Sequence, residues 1–187
     1  MEAAISEEIL SSLSKFANYA QMKKAALMVI AHHADQDQIR HLRDAFLAMD
    51  VDNSGSITVD ELKSLMEKHS VADATLIEEV FAGVDQDGSG DVQYMEFLAA
   101  TVELRCNLTY ATVAEAFDHL DRKKVGYITK KDMEKIVGDS YDASEIREMI
   151  AQVSGGSKGD VVTREDFFKI FEMQLVSEAD EIVPSKK

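Results

Sequence analysis

The 187-residue sequence contains one cysteine, one proline, nine glycines and no tryptophan. The single cysteine, Cys106, excludes an internal disulfide framework and a cysteine-rich zinc site, and it favours a reducing, cytoplasmic compartment. A single proline, Pro184, disfavours a loop-rich sandwich and favours helices. No apolar run approaches the ~18 residues of a membrane-spanning helix. We therefore expect a helical, cytoplasmic protein with no membrane partner in this part of the chain.

Basic residues are in the minority, because 20 lysines and arginines stand against 35 aspartates and glutamates, giving a formal charge of −15. This excess of acid argues against a protein that grips nucleic acid or an anionic membrane over a broad face. The acid is also unevenly spread. Residues 11–34 contain no aspartate or glutamate, but they include Lys15, Lys23 and Lys24.

Two twelve-residue blocks, 50–61 and 85–96, share one pattern of oxygen-bearing residues. Acids at positions 1 and 3, serine at 5, glycine at 6 and glutamate at 12 match the EF-hand calcium loop. Calcium takes about six to eight oxygen ligands at ~2.3–2.6 Å, and a tightly wound loop turns alternate residues toward it. With position 7 supplying a backbone carbonyl, the predicted ligands are Asp50, Asp52, Ser54, Ser56 and Glu61, then Asp85, Asp87, Ser89, Asp91 and Glu96.

The flanks of both loops have the apolar periodicity of helices that turn their faces together. Ile57 and Val92, at position 8 of each loop, are expected to pair as a short two-stranded bridge. Thr58 and Glu61 form the S/T-x-x-E signature of a capping box for the helix that leaves the first loop.

A third block, 121–132, keeps the apolar skeleton but has lost calcium ligands. It retains Asp121 at position 1, but Lys123 places a cation at position 3 and Val125 offers no oxygen at position 5. Asp132, at position 12, is one methylene shorter than glutamate, so bidentate closure is harder. We predict that this loop does not bind calcium.

A fourth block has lost its acids as well. If Ser154 is its first residue and Asp166 its last, it has thirteen residues, no acid among the first six, and Lys158 inside. Read instead as an uninserted loop that ends at Glu165, it still lacks acids at positions 1, 3 and 5. Under either reading we predict no calcium site.

The closing acids of the four blocks recur every 34 to 36 residues, which predicts four hands in two pairs. The expected fold is all-α, with two EF-hand lobes of paired helix-loop-helix hands preceded by one long amphipathic helix. We expect a basic helix over 1–34, a calcium-binding lobe over 35–105, a degenerate lobe over 106–175 and a flexible tail over 176–187.

The acid-free segment is a basic helix with apolar side chains on more than one face. Such helices dock in the grooves of calcium sensors, with their lysines toward an acidic rim. We favour this interpretation over a membrane-surface helix because the acidic hands lie in the same chain, and an N-terminal helix packed on the core overlaps with it. The predicted partner-binding residues are Phe16, Tyr19, Met22, Lys23, Lys24, Leu27 and Ile30.

Just before the first hand stands the pattern Phe16-x-x-Tyr19-x-x-Met22-Lys23-Lys24-Ala25-Ala26-Leu27. Joined to four hands, it resembles the junction and calmodulin-like region of the calcium-dependent protein kinases of plants and protists, from about residue 5 to 173. The resemblance implies a preceding Ser/Thr kinase domain that the junction helix holds inhibited until calcium makes the lobes grip that helix. The chain itself has no kinase Gly-rich loop, H-R-D or D-F-G motif, so we expect a regulatory fragment and not an enzyme. Its third and fourth hands depart from the family pattern, in which four working sites are commoner.

The expected mechanism is a calcium switch with divided labour. The first lobe would bind two calcium ions and expose a groove in which Met49, Met66 and Met95 are candidate lining residues. The second lobe would stay attached without metal and act as a tether. A free-standing calmodulin-like sensor for another protein and a calcium buffer are the alternatives. The sequence leaves open whether Mg²⁺ occupies the loops at rest.

Overall fold

The computed structural model describes residues 7–69, 74–137, 141–155 and 160–172. Within these ranges helices dominate and strands are short, which confirms the predicted helical class. The helices are α1 (Glu7–Ala17), α2 (Gln21–His33), α3 (Gln36–Met49), α4 (Val59–Lys68), α5 (Ala74–Val84), α6 (Tyr94–Thr101), α7 (Tyr110–Leu120), α8 (Lys130–Val137), α9 (Ala143–Ser154) and α10 (Arg164–Lys169). The strands are β1 (Ser56–Ile57), β2 (Val92–Gln93), β3 (Tyr127–Thr129) and β4 (Val161–Thr163), and a 3₁₀ turn spans Val102–Leu104. No helix within these ranges has the length and apolarity needed to cross a membrane.

Helices α3 to α6, which we call the first lobe, form two helix-loop-helix hands joined by the antiparallel pair β1 and β2. Ile57 lies opposite Val92 in this pair, as predicted. The predicted capping box is also present, because Thr58 accepts from the amide of Glu61 while the Glu61 carboxylate accepts from the amide of Thr58. The box fixes the start of α4 directly after the first loop.

Helices α7 to α10, the second lobe, repeat this arrangement without the acids. Ile128 of β3 lies opposite Val162 of β4. Thr163 and Asp166 form a capping box like that of Thr58 and Glu61, so Asp166 holds the place in the fourth hand that Glu61 holds in the first. Helix α9 ends at Ser154 and is capped by Gly155, whose φ of 64° is left-handed. Lys158 and the tail at 176–187 lie outside the described residues.

The predicted single N-terminal helix is wrong in one respect, because it is divided into α1 and α2. Helix α1 ends at Ala17, and Ala20 has an extended ψ of 144° before α2 begins. The side-chain amide of Asn18 donates to the carbonyl oxygen of Ser14 at 2.8 Å, which satisfies one carbonyl of the last turn. The division has a physical reason: the segment is apolar on more than one face, and two helices can each turn a face inward.

Helix α1 packs against α5 and α6 of the first lobe, whereas α2 lies between the lobes and contacts α6, α7, α8 and α9. The approach of α1 to α5 depends on Gly83. A Cβ atom at this position would lie 2.4 Å from the Cβ of Ala17, which is closer than any real contact. The N-terminal helices are therefore part of the core and not a separate arm.

Candidate metal centres and the helices packed on them

Hydrogen bonds within the first loop hold its acidic side chains close together. Asp50 accepts through Oδ1 from the amide of Ser54 at 2.8 Å and through Oδ2 from the amide of Gly55 at 2.9 Å. Gly55 has a φ of 90°, a backbone conformation that residues other than glycine rarely adopt. Asp52 accepts from the same Ser54 amide at 3.0 Å, and the Ser54 hydroxyl donates to the carbonyl of Ser56 at 3.1 Å. The predicted ligands at positions 1, 3, 5 and 7 thus lie together.

Glu61 closes this loop from its far end. Its Oε1 accepts from the amide of Val51 at 2.8 Å and its Oε2 from the amide of Thr58 at 2.9 Å, so the carboxylate spans from position 2 to position 9. Asp50, Asp52 and Glu61 each offer a carboxylate oxygen, and these atoms lie within 4.8 Å of one another. Three anionic oxygens at this spacing suit a hard divalent cation.

The second loop repeats the arrangement. The amides of Ser89 and Gly90 donate to Asp85 at 3.1 and 3.0 Å. Glu96 accepts from the amide of Gln86 at 2.6 Å, which matches the contact of Glu61 with position 2 of the first loop. The Ser89 hydroxyl donates to the carbonyl of Asp91 at 2.9 Å. Asp85, Asp87 and Glu96 form the second group of clustered carboxylates.

The two closing glutamates differ in electrostatic environment. Burial acts to raise the pKa of Glu61, but hydrogen bonds from Thr58 and its neighbours outweigh burial and leave that pKa below its ordinary value. Glu96 is more deeply buried, and burial raises its pKa despite the hydrogen bonds that it accepts. At position 3, hydrogen bonds from the side chain and backbone of Ser54 lower the pKa of Asp52. Hydrogen bonds from Ser89 likewise lower the pKa of Asp87, so the loops differ at position 12, where negative charge is harder to hold on Glu96 than on Glu61.

The third loop lacks the closing contact that both acidic loops share. The amide of Arg122, at position 2, donates to the carbonyl of Leu120 at 2.9 Å and not to the residue at position 12. Asp132 instead accepts from the amide of Thr129 at 3.0 Å and remains within its cap. The shorter side chain accounts for this difference, since it ends one methylene before the reach of glutamate.

Other ligand positions of the second lobe are also unsuited to calcium. Lys123 and Val125 are exposed, while Asp121 is buried and accepts from the amides of Val125 and Gly126. Ser154 is buried at the end of α9, and Asp166 accepts from the Thr163 hydroxyl at 2.6 Å. Among the described residues of this lobe, no group of three acids, histidines or cysteines is close enough to share an ion.

The apolar anchors predicted to bind a partner are buried within the chain itself. Phe16, Met22, Leu27 and Ile30 all belong to the core formed by α1, α2 and the lobes. The candidate groove residues Met49 and Met66 are buried in the same core, whereas Met95 is half-buried and lines a cleft of about 650 Å³ between α2 and the two lobes. The acid-free segment is thus packed against the lobes in this structure.

Lys23 does face an acid, as predicted for a lysine at an acidic rim. Its ammonium group lies 3.2 Å from an oxygen of Glu103 and 3.7 Å from the centre of the Tyr19 ring. The Tyr19 hydroxyl donates to the other oxygen of Glu103 at 2.8 Å. Burial, together with Glu103, raises the pKa of Tyr19 to about 12. We call this group the Tyr19–Lys23–Glu103 cluster; it joins α2 to the 3₁₀ turn between the lobes.

Lys24 forms no ion pair with the residues that the structure describes, although it lines the same cleft as Asp87 and Glu96. Its side chain is 4% exposed, and its ammonium group donates to the carbonyl of Gly83 at 2.7 Å. The Phe16 ring centre lies 5.4 Å from the same nitrogen. Burial lowers the pKa of Lys24 to about 8. The lysine stays inside because α2 packs beside the end of α5, where the Gly83 carbonyl accepts from both Lys24 and the Gln86 side-chain amide, each at 2.7 Å.

Sequence patterns missed three residues that hold the N-terminal helices. Glu103 binds Tyr19 and Lys23, Gly83 admits α1, and the Ser12 hydroxyl donates to the carbonyl of Ala100 at 2.8 Å. None belongs to a motif, and each meets its partner only after the chain has folded. The one available signal was an isolated glycine inside a helical pattern, which often marks a close approach.

Comparisons with known proteins agree with this geometry. Residues 39–102 match the family model of the EF-hand domain pair. The chain is 31% identical over 161 residues to calcium-dependent protein kinase 34 of Arabidopsis thaliana, covering 84% of this chain and 31% of that protein. It is 33% identical over 158 residues to calcium-dependent protein kinase 2 of Zea mays, covering 83% and 31%. A crystal structure of a C-terminal domain covers 90% of this chain and 98% of that domain, but at 19% identity and a TM-score of 0.45.

The homology confirms the resemblance to the calcium-dependent protein kinases. It extends over most of this chain, yet the chain spans only about a third of the length of the curated relatives that it matches. The match therefore concerns an EF-hand region and does not include a catalytic domain.

Proposed function

We propose that this chain, an EF-hand protein homologous to calcium-dependent protein kinases, is the calcium-sensing regulatory region of such a kinase. The observation that supports this proposal best is the packing of α1 and α2 on the second hand. A segment placed between the hands and a preceding kinase domain can report the state of the hands to that domain. In this proposal α1 and α2 restrain the kinase until the first lobe binds calcium.

The first two loops are the proposed calcium sites. Bound calcium would supply two positive charges to each cluster of three carboxylates, which offsets their mutual repulsion. The residues proposed to hold it are Asp50, Asp52, Ser54, Ser56 and Glu61, and Asp85, Asp87, Ser89, Asp91 and Glu96. The hydroxyls of the two serines and the position-7 carbonyls complete an all-oxygen donor set of the kind that calcium prefers.

The contacts of the N-terminal helices provide the coupling. Lys24 donates to Gly83 near the end of α5, two residues before Asp85, whereas Ser12 donates to Ala100 near the end of α6. The N-terminal helices therefore hold both helices of the second hand. A change in the angle between α5 and α6 has to carry these contacts along or break them, so a signal that begins at the loop reaches α1 and α2.

The second lobe is proposed to serve as a tether that needs no metal. Its apolar core is packed although its loops lack calcium-ligand residues. The rings of Phe117 and Phe167 lie 5.4 Å apart within this core. Helix α2 contacts three of its helices. Such a lobe can keep α2 in place at any calcium concentration, so that only the first lobe responds.

Hydrogen–deuterium exchange of the whole chain, with and without calcium, tests the proposal. We expect calcium to alter amide protection in the loops at 50–61 and 85–96 and also in α1 and α2. The variant Glu61→Gln/Glu96→Gln should lose both responses, while Lys123→Ala in the third loop should keep them. A response confined to the two loops would indicate a calcium buffer and contradict the regulatory role.

A further inference from the structure

The loop that has lost its calcium ligands carries positive charge in an otherwise acidic chain. Six basic residues fall within residues 122–135: Arg122, Lys123, Lys124, Lys130, Lys131 and Lys135. Asp121, Asp132 and Glu134 offset three of these six charges, and the first two are buried and accept backbone hydrogen bonds. Glu134 is the only exposed acid among residues 122–135.

Most of these cations lack a partner within the described part of the chain. Lys130 lies 3.9 Å from Glu134 and forms the one ion pair of the group there. Arg122 and Lys135 face the cleft between the lobes. Lys123, Lys124 and Lys131 are exposed. The charge is therefore free to act on something outside the chain.

Two apolar side chains project beside these cations. Every residue from 122 to 127 is exposed, and this run includes Val125 at 44% and Tyr127 at 41%. The first loop also exposes an apolar residue, Val51 at 75%, but at loop position 2 and between two aspartates. The third loop differs from it in the sign of its charge.

We propose that this loop, residues 122–131, is a contact site for an anionic lipid bilayer, with lysines on the headgroups and Val125 and Tyr127 in the interface. Basic residues beside an anionic leaflet are attracted to it, and aromatic rings favour the headgroup level. A run of exposed residues projects outward and does not enclose a peptide, which favours a surface as the partner. The acidic remainder of the chain is screened beyond about 8 Å at physiological ionic strength.

This proposal changes the expectation of no membrane partner drawn from composition, and it does not depend on calcium binding. Net charge argued against a broad anionic contact. It does not exclude a small one, since the exposed Lys123, Lys124 and Lys131 lie within ten residues of one another. A loop that no longer needs acids is free to carry lysines, so loss of metal ligands and gain of lipid contact are compatible.

Vesicle co-sedimentation of the whole chain is the test, using phosphatidylcholine with about 30% phosphatidylserine and pure phosphatidylcholine as reference. We expect binding only to the anionic vesicles, weakening as salt rises. Lys123→Glu/Lys124→Glu should reduce the partition coefficient by about tenfold or more. The matched control Lys63→Glu/Lys68→Glu, with the same charge change on exposed α4 positions, should stay within about twofold.

A second variant tests the apolar contribution. Val125→Ser/Tyr127→Ser should weaken binding several-fold while leaving the far-ultraviolet circular dichroism unchanged, because both side chains are exposed. The proposal is overturned if anionic vesicles do not bind, or if both charge variants lose binding equally. It is also overturned if the chain binds polyglutamate through this loop but not vesicles, which would indicate an acidic protein partner.

Discussion

The ammonium group of Lys24 donates a 2.7 Å hydrogen bond to the backbone carbonyl of Gly83, and this bond joins α2 to the end of α5. A lysine that is 4% exposed has given up most of its hydration for one carbonyl acceptor and a nearby aromatic ring. The cost appears in its pKa, which burial lowers to about 8. The charge of Lys24 is therefore linked to the stability of the contact between α2 and the second hand.

Stability should rise between pH 8 and pH 10 because of Lys24. Below about pH 8 the lysine is charged in both the folded and the unfolded chain, and the cost of burying the charge is present in full. Above this pH the folded chain releases the proton first, while the unfolded chain keeps it up to the ordinary pKa of 10.5. Because the unfolded state then binds more protons, the free energy of unfolding should increase by about 1–2 kcal/mol.

Urea unfolding at several values of pH between 7.5 and 10 measures this rise. The variant Lys24→Met keeps the apolar stem and removes the titrating group, so its unfolding free energy should lack the increase. A parallel rise in the variant would assign the effect to other groups.

Gly83→Ala should destabilise the protein, although alanine is the better helix former by about 1 kcal/mol. The new methyl would lie 2.4 Å from the Cβ of Ala17, so α1 has to shift away from α5. We expect a net loss of about 1–3 kcal/mol in the free energy of unfolding. Ala17→Gly should recover little of this loss in the double variant, because the new methyl would still lie 2.6 Å from the Cα of residue 17. Denaturant titrations of the four proteins provide the comparison.

Tyr19→Phe should cost about 1 kcal/mol of stability. The change removes the hydroxyl that donates to Glu103 and leaves the contact of Lys23 with the same carboxylate in place. Tyr127→Phe is the matched control, because that ring is exposed and should change stability by less than about 0.5 kcal/mol. Equal losses in both variants would show that the hydroxyl of Tyr19 contributes nothing specific.

Calorimetric titration should find one calcium ion for each of the two clustered carboxylate groups. Glu96→Gln should remove the second site, because a carboxamide offers calcium one oxygen and no negative charge where the carboxylate offers two oxygens. Lys123→Ala, at a position already unsuited to calcium, should leave the stoichiometry unchanged. A wild-type value near four would contradict the division of labour between the lobes.

Restoring calcium binding to the third loop needs more than a longer acidic side chain at position 12. Asp132→Glu alone should leave it without calcium, because Lys123 and Val125 still occupy ligand positions. The combination Lys123→Asp, Val125→Ser and Asp132→Glu should add one site to the calorimetric stoichiometry. Asp121 is retained in this variant and already holds the amides that organise the loop. Failure of the triple variant would mean that the loop backbone differs from that of the acidic loops.

Short-range features were predictable because they depend on neighbours in the sequence. The capping box of Thr58 and Glu61 needs residues three apart, and the pairing of Ile57 with Val92 follows from the same position in two equal loops. The grouping of acids in each loop is likewise local, since twelve residues and one glycine bring them together. The sequence also showed, for the same reason, that Lys123 and Val125 occupy calcium-ligand positions of the third loop.

The sequence by itself therefore determined the hands, their order and which loops carry calcium-type acids. Tertiary structure alone decided the break between α1 and α2, the burial of Lys24, and the meeting of Tyr19 with Glu103, 84 residues away. It also decided that the unpaired lysines of the third loop remain at the surface. The physical reason is that burial and long-range hydrogen bonds depend on which faces of separate helices meet, whereas a metal-binding loop is built from consecutive residues.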